Sequence, residues 1–566
     1  MTDTTANAAP AAHASMRTVV AASAAGTAFE WYDFFIFGSL VQIISKTFFA
    51  QLGSTAGLIA SLALFGVGFA FRPLGALIFG RVGDRIGRKA AFLICVLMMG
   101  GGTFLIGALP SSAQAGVIAP ILLITLRIIQ GTALGGQYGG AAIFVAEHAP
   151  AGRRGYYTGW VQTSAAFGLI GALSVIYVVR RVVGEDAFQA WGWRLPFFAS
   201  SGLVAISIWM RLKLTESPAF QKLKDAGQAA KAPFREAFGN WNNIKLILIA
   251  FFCLMCAQGA YWYTVFFYSD VIMEKFLKVE GDYANLLIMI AAIASAPCYV
   301  LFGWLSDKVG RKWVMWFGMT LGALALFPGF MLLSQAVNPA LVEATHRTPV
   351  VVVADPADCT LQFDPLGKAR FLSSCDIAKS TLANAGVAYA NQPAPAGSLA
   401  SVKIGQVSIA SIDGRSLAPA ALKAASARVG AQLTAALAQA GFPTHSDPAR
   451  RNTPLAVGVF LVLVIAATAL YGPMASALVE LFPTRVRYTA LSFPYHLGTG
   501  WIGGFQPVAS FSIVVATGNI YAGLWYPIIF TAISVVCAVS ASLAVLSVLV
   551  SELVGRRIGR RAVRQS

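Results

Sequence analysis

The sequence predicts an all-α polytopic membrane protein of twelve helices in two related six-helix bundles, with a small extracytoplasmic insert between helices 9 and 10. Three observations predict this fold class. Hydrophobic residues make up 57% of the 566 residues and charged residues only 12%, whereas a soluble protein carries roughly a quarter charged residues. Apolar runs of about 20 residues, long enough to cross a bilayer, recur along the chain. Two short phrases also occur twice, once in each half.

Twelve apolar runs define the predicted spans. An even number of spans places both termini on the same side of the membrane, and residues 1–16 form a predicted disordered tail without the pattern of a signal peptide. The first six spans form a bundle over 17–214 and the last six a bundle over 243–550, joined by a linker at 215–242. The spans are 17–49, 54–79, 90–109, 116–146, 157–179, 193–213, 243–270, 284–305, 313–333, 455–478, 488–516 and 522–550.

Basic residues mark one side of this topology. They concentrate in short loops between spans and in a tail over 551–566, and short loops rich in Lys and Arg identify the cytoplasmic face. We therefore expect a multi-pass protein of the bacterial inner membrane with both termini in the cytoplasm. These loops account for the net charge of +18, so no nucleic-acid partner is expected.

The first repeated phrase ends a hydrophobic run in each half. Residues 80–89 read GRVGDRIGRK and residues 303–312 read GWLSDKVGRK, with Gly, Asp, Gly, Arg and Lys in the same positions. The second phrase is a Glu-x-x-Pro followed four residues later by Arg, at 147–154 and 480–487. The copies are 223 residues apart for the first phrase and 333 for the second, which locates an insertion in the second half. Such duplication in an apolar chain indicates a transporter built from two membrane bundles.

The insertion occupies 335–453 on the outer face, and we predict a folded module rather than a disordered loop. Residues 350–354 and 402–412 have strand patterns, and the alanine-rich run 419–440 has a helical one.

Two of the seven cysteines, Cys359 and Cys375, lie in this insert. Because the outer compartment is oxidising, the two can form a disulfide. The other five lie in apolar spans; Cys253 and Cys256 form a Cys-x-x-Cys, but within a membrane helix we expect them to be packing residues rather than metal ligands or a redox pair.

Span 1 carries two carboxylates, Glu30 and Asp33, within an apolar helix. Ionisable residues inside a membrane are costly and are functional candidates by default. Three residues apart, the two lie on one helical face, where mutual repulsion favours the protonation of one of them. We therefore predict a proton-coupling role for Glu30 and Asp33, with structural pairing to an arginine as the alternative.

Three further ionisable residues lie within predicted spans. Arg127 of span 4 needs a partner at membrane depth, and Glu30, Asp33 or a substrate carboxylate would each suit it. Arg72 of span 2 could likewise pair structurally or contact substrate. His496 of span 11 is a third proton-coupling candidate because imidazole titrates near neutral pH, with hydrogen-bonded packing as the alternative.

A substrate cavity between the bundles would be lined by polar and aromatic side chains of the spans. For the aromatic residues, core packing or an interfacial belt is the alternative. The predicted substrate-binding residues are Tyr32, Arg72, Arg127, Gln130, Gln137, Tyr138, Gln258 and Tyr261.

A conformational gate is predicted at the repeated loops. There a carboxylate can face the positive N-terminus of a neighbouring helix, and arginines can pair with acids, so that the contacts break when this side opens. The predicted gate residues are Gly83, Asp84, Arg85, Arg88, Glu147, Arg154, Asp307, Arg311, Glu480 and Arg487.

The repeated loops resemble the signature of the major facilitator superfamily. More narrowly, the segments that start at Glu30 (EWYDF), Arg72 (RPLGALIFGRVGDRIGRK), Trp191 (WGWRLP) and Leu214 (LTESP), with the glycine-rich run after Arg127, look like the metabolite:proton symporters. That group includes shikimate, α-ketoglutarate, citrate and proline/betaine carriers. The resemblance covers nearly everything except the insert and the N-terminal tail. It implies two six-helix bundles around a central cavity, working by alternating access with proton symport and no cofactor.

One position departs from the family pattern. Relatives usually carry Glu in the Gly-Gly-Glu-Tyr-Gly-Gly part of span 4, where this chain has Gln137. An amide cannot titrate, so any coupling role of that position must lie elsewhere. This departure makes Glu30 and Asp33 stronger candidates for proton coupling.

The expected function is therefore proton-coupled uptake of a small organic acid, such as a dicarboxylate, a tricarboxylate or a shikimate-like anion, by a monomer in the bilayer. An enzyme is not expected, because the sequence has no phosphate-binding loop, nucleophile elbow or metal-ligand cluster. The alternatives are an osmolyte or zwitterion symporter, an exporter, and a transporter-like sensor that uses the insert.

Overall fold

The structure is a computed structural model that describes residues 15–49, 64, 66–212, 216–228, 230–360 and 372–540. Most of the predicted tail at 1–16 and all of the basic tail at 551–566 lie outside these residues, as do parts of the predicted spans 54–79 and 522–550. The described chain is mainly helical, and its strands lie in the insert.

Twelve long helical segments lie outside the insert within the described residues. Those of the first half are α1 (Met16–Ser39), α2 (Arg72–Arg85), α3 (Arg88–Ala108), α4 (Ile118–His148), α5 (Arg154–Val183) and α6 (Arg194–Leu212). Those of the second half are α7 (Trp241–Phe276), α8 (Gly281–Val309), α9 (Arg311–Val337), α10 (Thr453–Leu481), α11 (Arg487–Leu497, continuing through Gly498–Gly503 and Gly504–Thr517) and α12 (Ala522–Ser540). Eight of them, α3–α5, α7–α10 and α12, are long and apolar enough to cross a membrane.

Three of the other four helices also carry predicted transport residues. α1 contains Glu30 and Asp33, α2 begins at Arg72, and α11 contains His496, while α6 has a shorter apolar stretch over Arg194–Met210. Helices that surround a polar cavity exchange apolar side chains for polar ones. The polar residues of α1, α2 and α11 are therefore compatible with a place inside the bundle.

Glycines let α2 and α4 touch through their main chains. A Cβ on Gly135 would meet the main-chain oxygen of Arg72, and one on Gly75 would meet the main chain of Thr132. Small residues at such crossings are typical of membrane helix pairs. The close approach holds the start of α2, and with it Arg72, against α4.

The insert contains a four-stranded sheet. Its strands are β1 (Val350–Ala354), β2 (Ala390–Pro393), β3 (Ser401–Ile404) and β4 (Val407–Ala410), in the order β2-β1-β3-β4. β1 and β2 run parallel, with the helix Ser374–Asn384 between them in the chain, whereas β3 pairs antiparallel with both β1 and β4. The helix Pro419–Gln439 packs on β4 and on Ser374–Asn384.

Most of the local predictions for the insert are confirmed. The first predicted strand and the alanine-rich helix are present, and Cys359 and Cys375 form a disulfide. The prediction of one strand over 402–412 is wrong, because Gly405 adopts a φ of +57° and turns the chain into the β3–β4 hairpin. β2 was missed because all four of its residues are exposed and show no apolar alternation.

The insert is hydrogen-bonded to the second half of the membrane part. The Tyr389 N–H donates to the Gly518 carbonyl at 2.9 Å, and the Lys379 ammonium donates to the Ala516 carbonyl at 3.1 Å. Both acceptors lie at the C-terminal end of α11. A rigid movement of the second half would therefore take the insert with it.

Candidate transport site

Asp33 is held by donors from α3 and α4. Its Oδ2 lies 3.2 Å from Nη1 of Arg127, and its Oδ1 accepts hydrogen bonds from Thr103 Oγ1 at 2.6 Å and Gln130 Nε2 at 3.1 Å. The Arg127 guanidinium also lies over the Phe37 ring, with its Cζ 3.5 Å from the ring centroid. Asp33 is therefore a buried carboxylate whose charge is balanced by an arginine and two hydrogen-bond donors, and the pairing with Arg127 considered from the sequence is observed.

Glu30 lies about one turn from Asp33 on α1 and has a looser environment. Its Oε1 is 3.8 Å from Nη2 of Arg72, and its Oε2 has no hydrogen-bond partner among the residues described. Arg72 also lies over the Phe69 ring, 4.4 Å from the centroid. Glu30 and Arg72 are each only 5% exposed. This buried pair therefore keeps unused hydrogen-bonding capacity.

Glu30 and Arg72 face a small central cavity between the two halves. The space available to the centre of a water molecule is about 10 Å³, which is room for on the order of one water. The cavity is therefore closed, and its lining side chains leave almost no free space. Its lining, from α1, α2 and α4 on one side and α7, α10 and α11 on the other, is Thr27, Glu30, Trp31, Arg72, Tyr138, Gln258, Trp262, Tyr263, Tyr471, Tyr495 and Thr499.

Aromatic contacts cross the cavity from one half to the other. The rings of Tyr138 and Tyr495 stack with centroids 3.8 Å apart, and the Tyr495 and Tyr471 hydroxyls are 2.6 Å apart. Trp31 and Trp262 lie with their ring centroids at 5.0 Å. Aromatic walls of this kind suit flat or cyclic solutes and organic cations.

Three of the predicted substrate-binding residues, Arg72, Tyr138 and Gln258, line the cavity. Arg127 and Gln130 belong to the Asp33 contacts instead. The Oε1 of Gln258 is buried without a partner in the described part of the chain, so it is open to a ligand.

Tyr32 and Tyr261 do not line this closed cavity, and their role in substrate binding stays a prediction. The Tyr32 hydroxyl donates to the Pro196 carbonyl of α6 at 2.9 Å, and the Tyr261 hydroxyl donates to the Leu463 carbonyl of α10 at 3.3 Å. Both hydroxyls are therefore used in helix packing.

Three cavity residues outside the predicted set are aromatic neighbours of predicted residues along the chain. Trp31 precedes Tyr32, and Trp262 and Tyr263 follow Tyr261. Successive residues of a helix point about 100° apart, so a choice among neighbours depends on the rotation of the helix. Tyr471 and Tyr495 had no signal beyond being aromatic residues in apolar spans.

His496 is fully buried on α11, and neither ring nitrogen has a hydrogen-bond partner among the residues described. Its ring packs edge-on against Tyr495 at 4.9 Å. The hydrogen-bonded packing considered as an alternative is therefore not observed there. Its coupling role stays a prediction.

Gln137 joins α4 to α1 rather than lining the cavity. Its Nε2 donates to the Gly26 carbonyl at 2.7 Å, while its Oε1 is buried without a partner in the described residues. An amide can donate this bond at any pH, whereas a carboxyl group can donate it only when protonated.

We therefore expect Gln137→Glu to make transport dependent on pH. At high pH an ionised carboxylate would face the Gly26 carbonyl, and uptake relative to the parent protein should fall; protonation at low pH should restore it. Uptake of the variant and the parent would be compared across a pH series. Gln137→Leu is the control, with a loss that does not vary with pH. Identical profiles for Gln137→Glu and the parent would contradict this role.

The repeated loops lie at one end of the bundle, named here the motif end (80–89, 147–154, 303–312 and 480–487). There Asp84 of α2 caps the N-terminus of α11. Its Oδ2 accepts the Thr489 N–H at 2.9 Å, and its Oδ1 accepts the Tyr488 N–H at 3.1 Å. A helix N-terminus favours a carboxylate at this place.

The second copy makes the same contact in the opposite direction. Asp307 of α8 accepts the N–H groups of Gly155 at 2.9 Å and Tyr156 at 2.8 Å, at the start of α5. Each motif aspartate therefore binds the first turn of a helix that belongs to the other half.

Ion pairs and close packing complete the motif end. Gly83 lies so close to the Tyr488 ring that a Cβ would collide with it. Arg85 is exposed and forms no ion pair within the described ranges, so the structure does not bring it into this network. The ion pairs are Arg88–Asp84 (2.8 Å), Arg88–Glu147 (3.9 Å), Arg487–Glu147 (2.6 Å), Arg311–Asp307 (2.6 Å), Arg311–Glu480 (3.1 Å) and Arg154–Glu480 (3.8 Å).

Replacing Asp84 by Asn is expected to shift the protein toward a state with the motif end open. Asn has a single, uncharged acceptor oxygen, so only one of the two N–H groups of α11 keeps an acceptor and the other loses its hydrogen bond, at a cost of about 1.5–3 kcal/mol. Opening would be measured by maleimide labelling of the variant Ser492→Cys, made after replacement of the free cysteines. Position 492 is buried against Gly139. Labelling should become on the order of tenfold faster.

Asp307→Asn serves as the matched variant of the other half and should act in the same direction. Unchanged labelling in both variants would show that these caps do not hold the motif end closed.

Comparison with known proteins gives consistent matches. The family model described as "Sugar (and other) transporter" matches residues 18–237 and 221–344. The shikimate transporter of Escherichia coli (strain K12) is 38% identical over 322 residues, 56% of this chain and 72% of that protein. The proline/betaine transporter of Salmonella typhimurium (strain LT2) is 34% identical over 333 residues, 57% of this chain and 66% of that protein.

Solved structures share the fold at low sequence identity. The proton:xylose symporter XylE bound to 6-bromo-6-deoxy-D-glucose has a TM-score of 0.58 and 16% identity, over 93% of this chain and 94% of that chain. The Escherichia coli fucose:proton symporter FucP has a TM-score of 0.51 and 14% identity, over 91% of this chain and 97% of that chain. These relatives and neighbours are transporters, not enzymes.

Proposed function

Because this chain belongs to the metabolite:proton symporter family of the major facilitator superfamily, we propose that it takes up a small organic acid together with a proton by alternating access. The observation that carries the proposal is the loose Glu30–Arg72 pair, 3.8 Å apart and facing the central cavity. Glu30 can hold a proton, and Arg72 can hold the carboxylate of a substrate.

Coupling follows from the competition for Arg72. While the cavity is empty, Glu30 is the counter-charge of this buried guanidinium. A substrate carboxylate that binds Arg72 displaces Glu30, and an unpaired carboxylate in a buried place is costly enough to favour uptake of a proton. Proton and substrate therefore bind together, which is the thermodynamic requirement for symport. Asp33 is proposed to act as the fixed partner of Arg127.

The second candidate is a zwitterion carrier, favoured by the six aromatic side chains of the cavity. An organic ammonium group can lie against aromatic faces, with its carboxylate on Arg72. One relative is named a shikimate transporter and another a proline/betaine transporter. With a zwitterionic substrate, ionised Glu30 could lie beside the positive group of the substrate. With an anionic substrate, the protonated form of Glu30 is favoured.

The motif end is proposed to be the cytoplasmic gate, with both termini on that side. The support is the row of basic loops at this end and the two aspartate caps that join the halves there. Opening would break the caps and their ion pairs while the rings of Tyr138 and Tyr495 separate. No cofactor is required, because the proton gradient supplies the energy.

The test is uptake by proteoliposomes of the purified protein. The panel contains dicarboxylates, tricarboxylates, shikimate-like acids, proline and betaine, each with an imposed pH gradient and again with an uncoupler. Accumulation of one acid that the uncoupler abolishes would support the proposal. Accumulation of proline or betaine alone would favour the zwitterion carrier. Movement of none of them by folded protein would contradict both.

A further inference from the structure

A second and much larger cavity lies at the motif end, on the side of the bundle. It is a groove of about 870 Å³ between α1, α5 and α8, separate from the central cavity. Its lining includes Arg17 and Met16 at the start of α1, Arg153 just before α5, and Lys308 near the end of α8. The proposed transport cycle assigns no ligand to this groove, although the gate residue Asp307 lies at its edge.

Three basic side chains of the groove have no acidic partner. Arg17, Arg153 and Lys308 are exposed, and none of them forms an ion pair with the residues described. One acid, Asp307, also lines the groove, but its carboxylate is occupied by Arg311 and by the N–H groups at the start of α5. The groove therefore offers net positive charge to a ligand.

The other wall of the groove is apolar and exposed. Trp160, Phe167 and Trp304 are 41%, 60% and 45% exposed, respectively, and all three line the groove. Trp160 and Phe167 lie on the outer face of α5, which continues with exposed Tyr177 and Val178 toward the far end of the helix. Tryptophan beside basic residues is typical of the boundary between headgroups and acyl chains.

We propose that this groove binds an anionic phospholipid, with its phosphate against Arg17, Arg153 and Lys308 and its first acyl segments along Trp160 and Phe167. The charges alone would suit any phosphate. The apolar wall, which continues along the outer face of α5, selects a phosphate that carries acyl chains. Basic pockets between membrane helices on the cytoplasmic side recognise such headgroups.

A lipid in this groove touches both halves of the protein. α1 and α5 belong to the first half and α8 to the second, and the groove adjoins the cap that Asp307 forms on α5. Because α5 and α8 must separate at the motif end when that end opens, a bound lipid stabilises the closed arrangement. Lipid composition then influences the distribution between closed and open states.

The test is native mass spectrometry of the delipidated full-length protein with phosphatidylglycerol or phosphatidylcholine at equal concentration. The groove variant is Arg17→Gln/Arg153→Gln/Lys308→Gln. The matched control, Lys222→Gln/Lys224→Gln/Lys231→Gln, removes the same charge from exposed linker positions at the same end. We expect phosphatidylglycerol to bind better than phosphatidylcholine, and the groove variant to lose on the order of tenfold in affinity for phosphatidylglycerol while the control does not.

A competition arm separates lipid from free phosphate. Inorganic phosphate in excess should not displace phosphatidylglycerol; full displacement would show a simple phosphate site and overturn the lipid proposal. Equal losses in the groove variant and the control would also overturn it. If the groove variant does not fold, the parent protein still tests the proposal, because equal binding of the two lipids would contradict it.

Discussion

Replacing Glu30 by Gln is expected to abolish proton-driven accumulation of substrate while preserving exchange of substrate across the membrane. Glutamine has nearly the shape of protonated glutamate, so Arg72 stays available to a substrate carboxylate. The variant cannot release or take up a proton at this position, and a pH gradient then supplies no energy for accumulation. Substrate should therefore only equilibrate across the membrane.

Two assays on the same proteoliposomes separate these effects. Uptake driven by a pH gradient should be lost, and counterflow with substrate preloaded inside should continue. Gradient-driven accumulation at the parent level would exclude Glu30 as the coupling residue. Loss of counterflow together with accumulation would favour a need for the ionised carboxylate in substrate binding, the role that a zwitterion carrier leaves for Glu30.

Separate replacement of Asp33 by Asn or of Arg127 by Met is expected to destabilise the folded protein strongly. The two side chains form a buried pair at 3.2 Å, and removal of one partner leaves the other charge uncompensated, at a cost of about 3–5 kcal/mol. The double variant Asp33→Asn/Arg127→Met removes both charges and should recover most of this loss. The measurement is thermal unfolding of the detergent-solubilised protein, with the four proteins compared as a double-mutant cycle.

Thr103→Val is the control for this cycle. It removes one hydrogen bond to Asp33 but leaves the charge pair, so it should cost less than either single charge removal. Additive losses in the double variant would contradict the pairing. If the single variants are instead stable but do not accumulate substrate, the result would favour the proton-coupling role predicted for Asp33 from the sequence.

The two carboxylates show how far the sequence could lead. Their position in an apolar span identified both as functional candidates, because a charge at membrane depth is costly wherever the helix lies. Their difference was not predictable. Asp33 is surrounded by donors from α3 and α4 and Glu30 has one distant arginine, which depends on residues far away in the chain.

The motif end was better anticipated than the cavity. A phrase repeated in both halves identified Asp84 and Asp307 as equivalent, and a carboxylate beside a helix N-terminus is a recurring arrangement. The exposed Arg85 shows the limit of this reasoning, since membership of the phrase did not bring it into the network. For the cavity, the sequence supplied aromatic candidates but chose Tyr261 where Trp262 and Tyr263 are the lining residues.

By itself the sequence determined the membrane helices, the relation of the two halves, the position of the insert and the carboxylates at membrane depth. Each of these depends on hydropathy or repetition, which are properties of contiguous residues. Only the tertiary structure decided which aromatic rings face the cavity, which arginine pairs with which acid, and that a basic groove lies between α1, α5 and α8. These features depend on the rotation and pairing of helices, and contacts between residues distant in the chain set both.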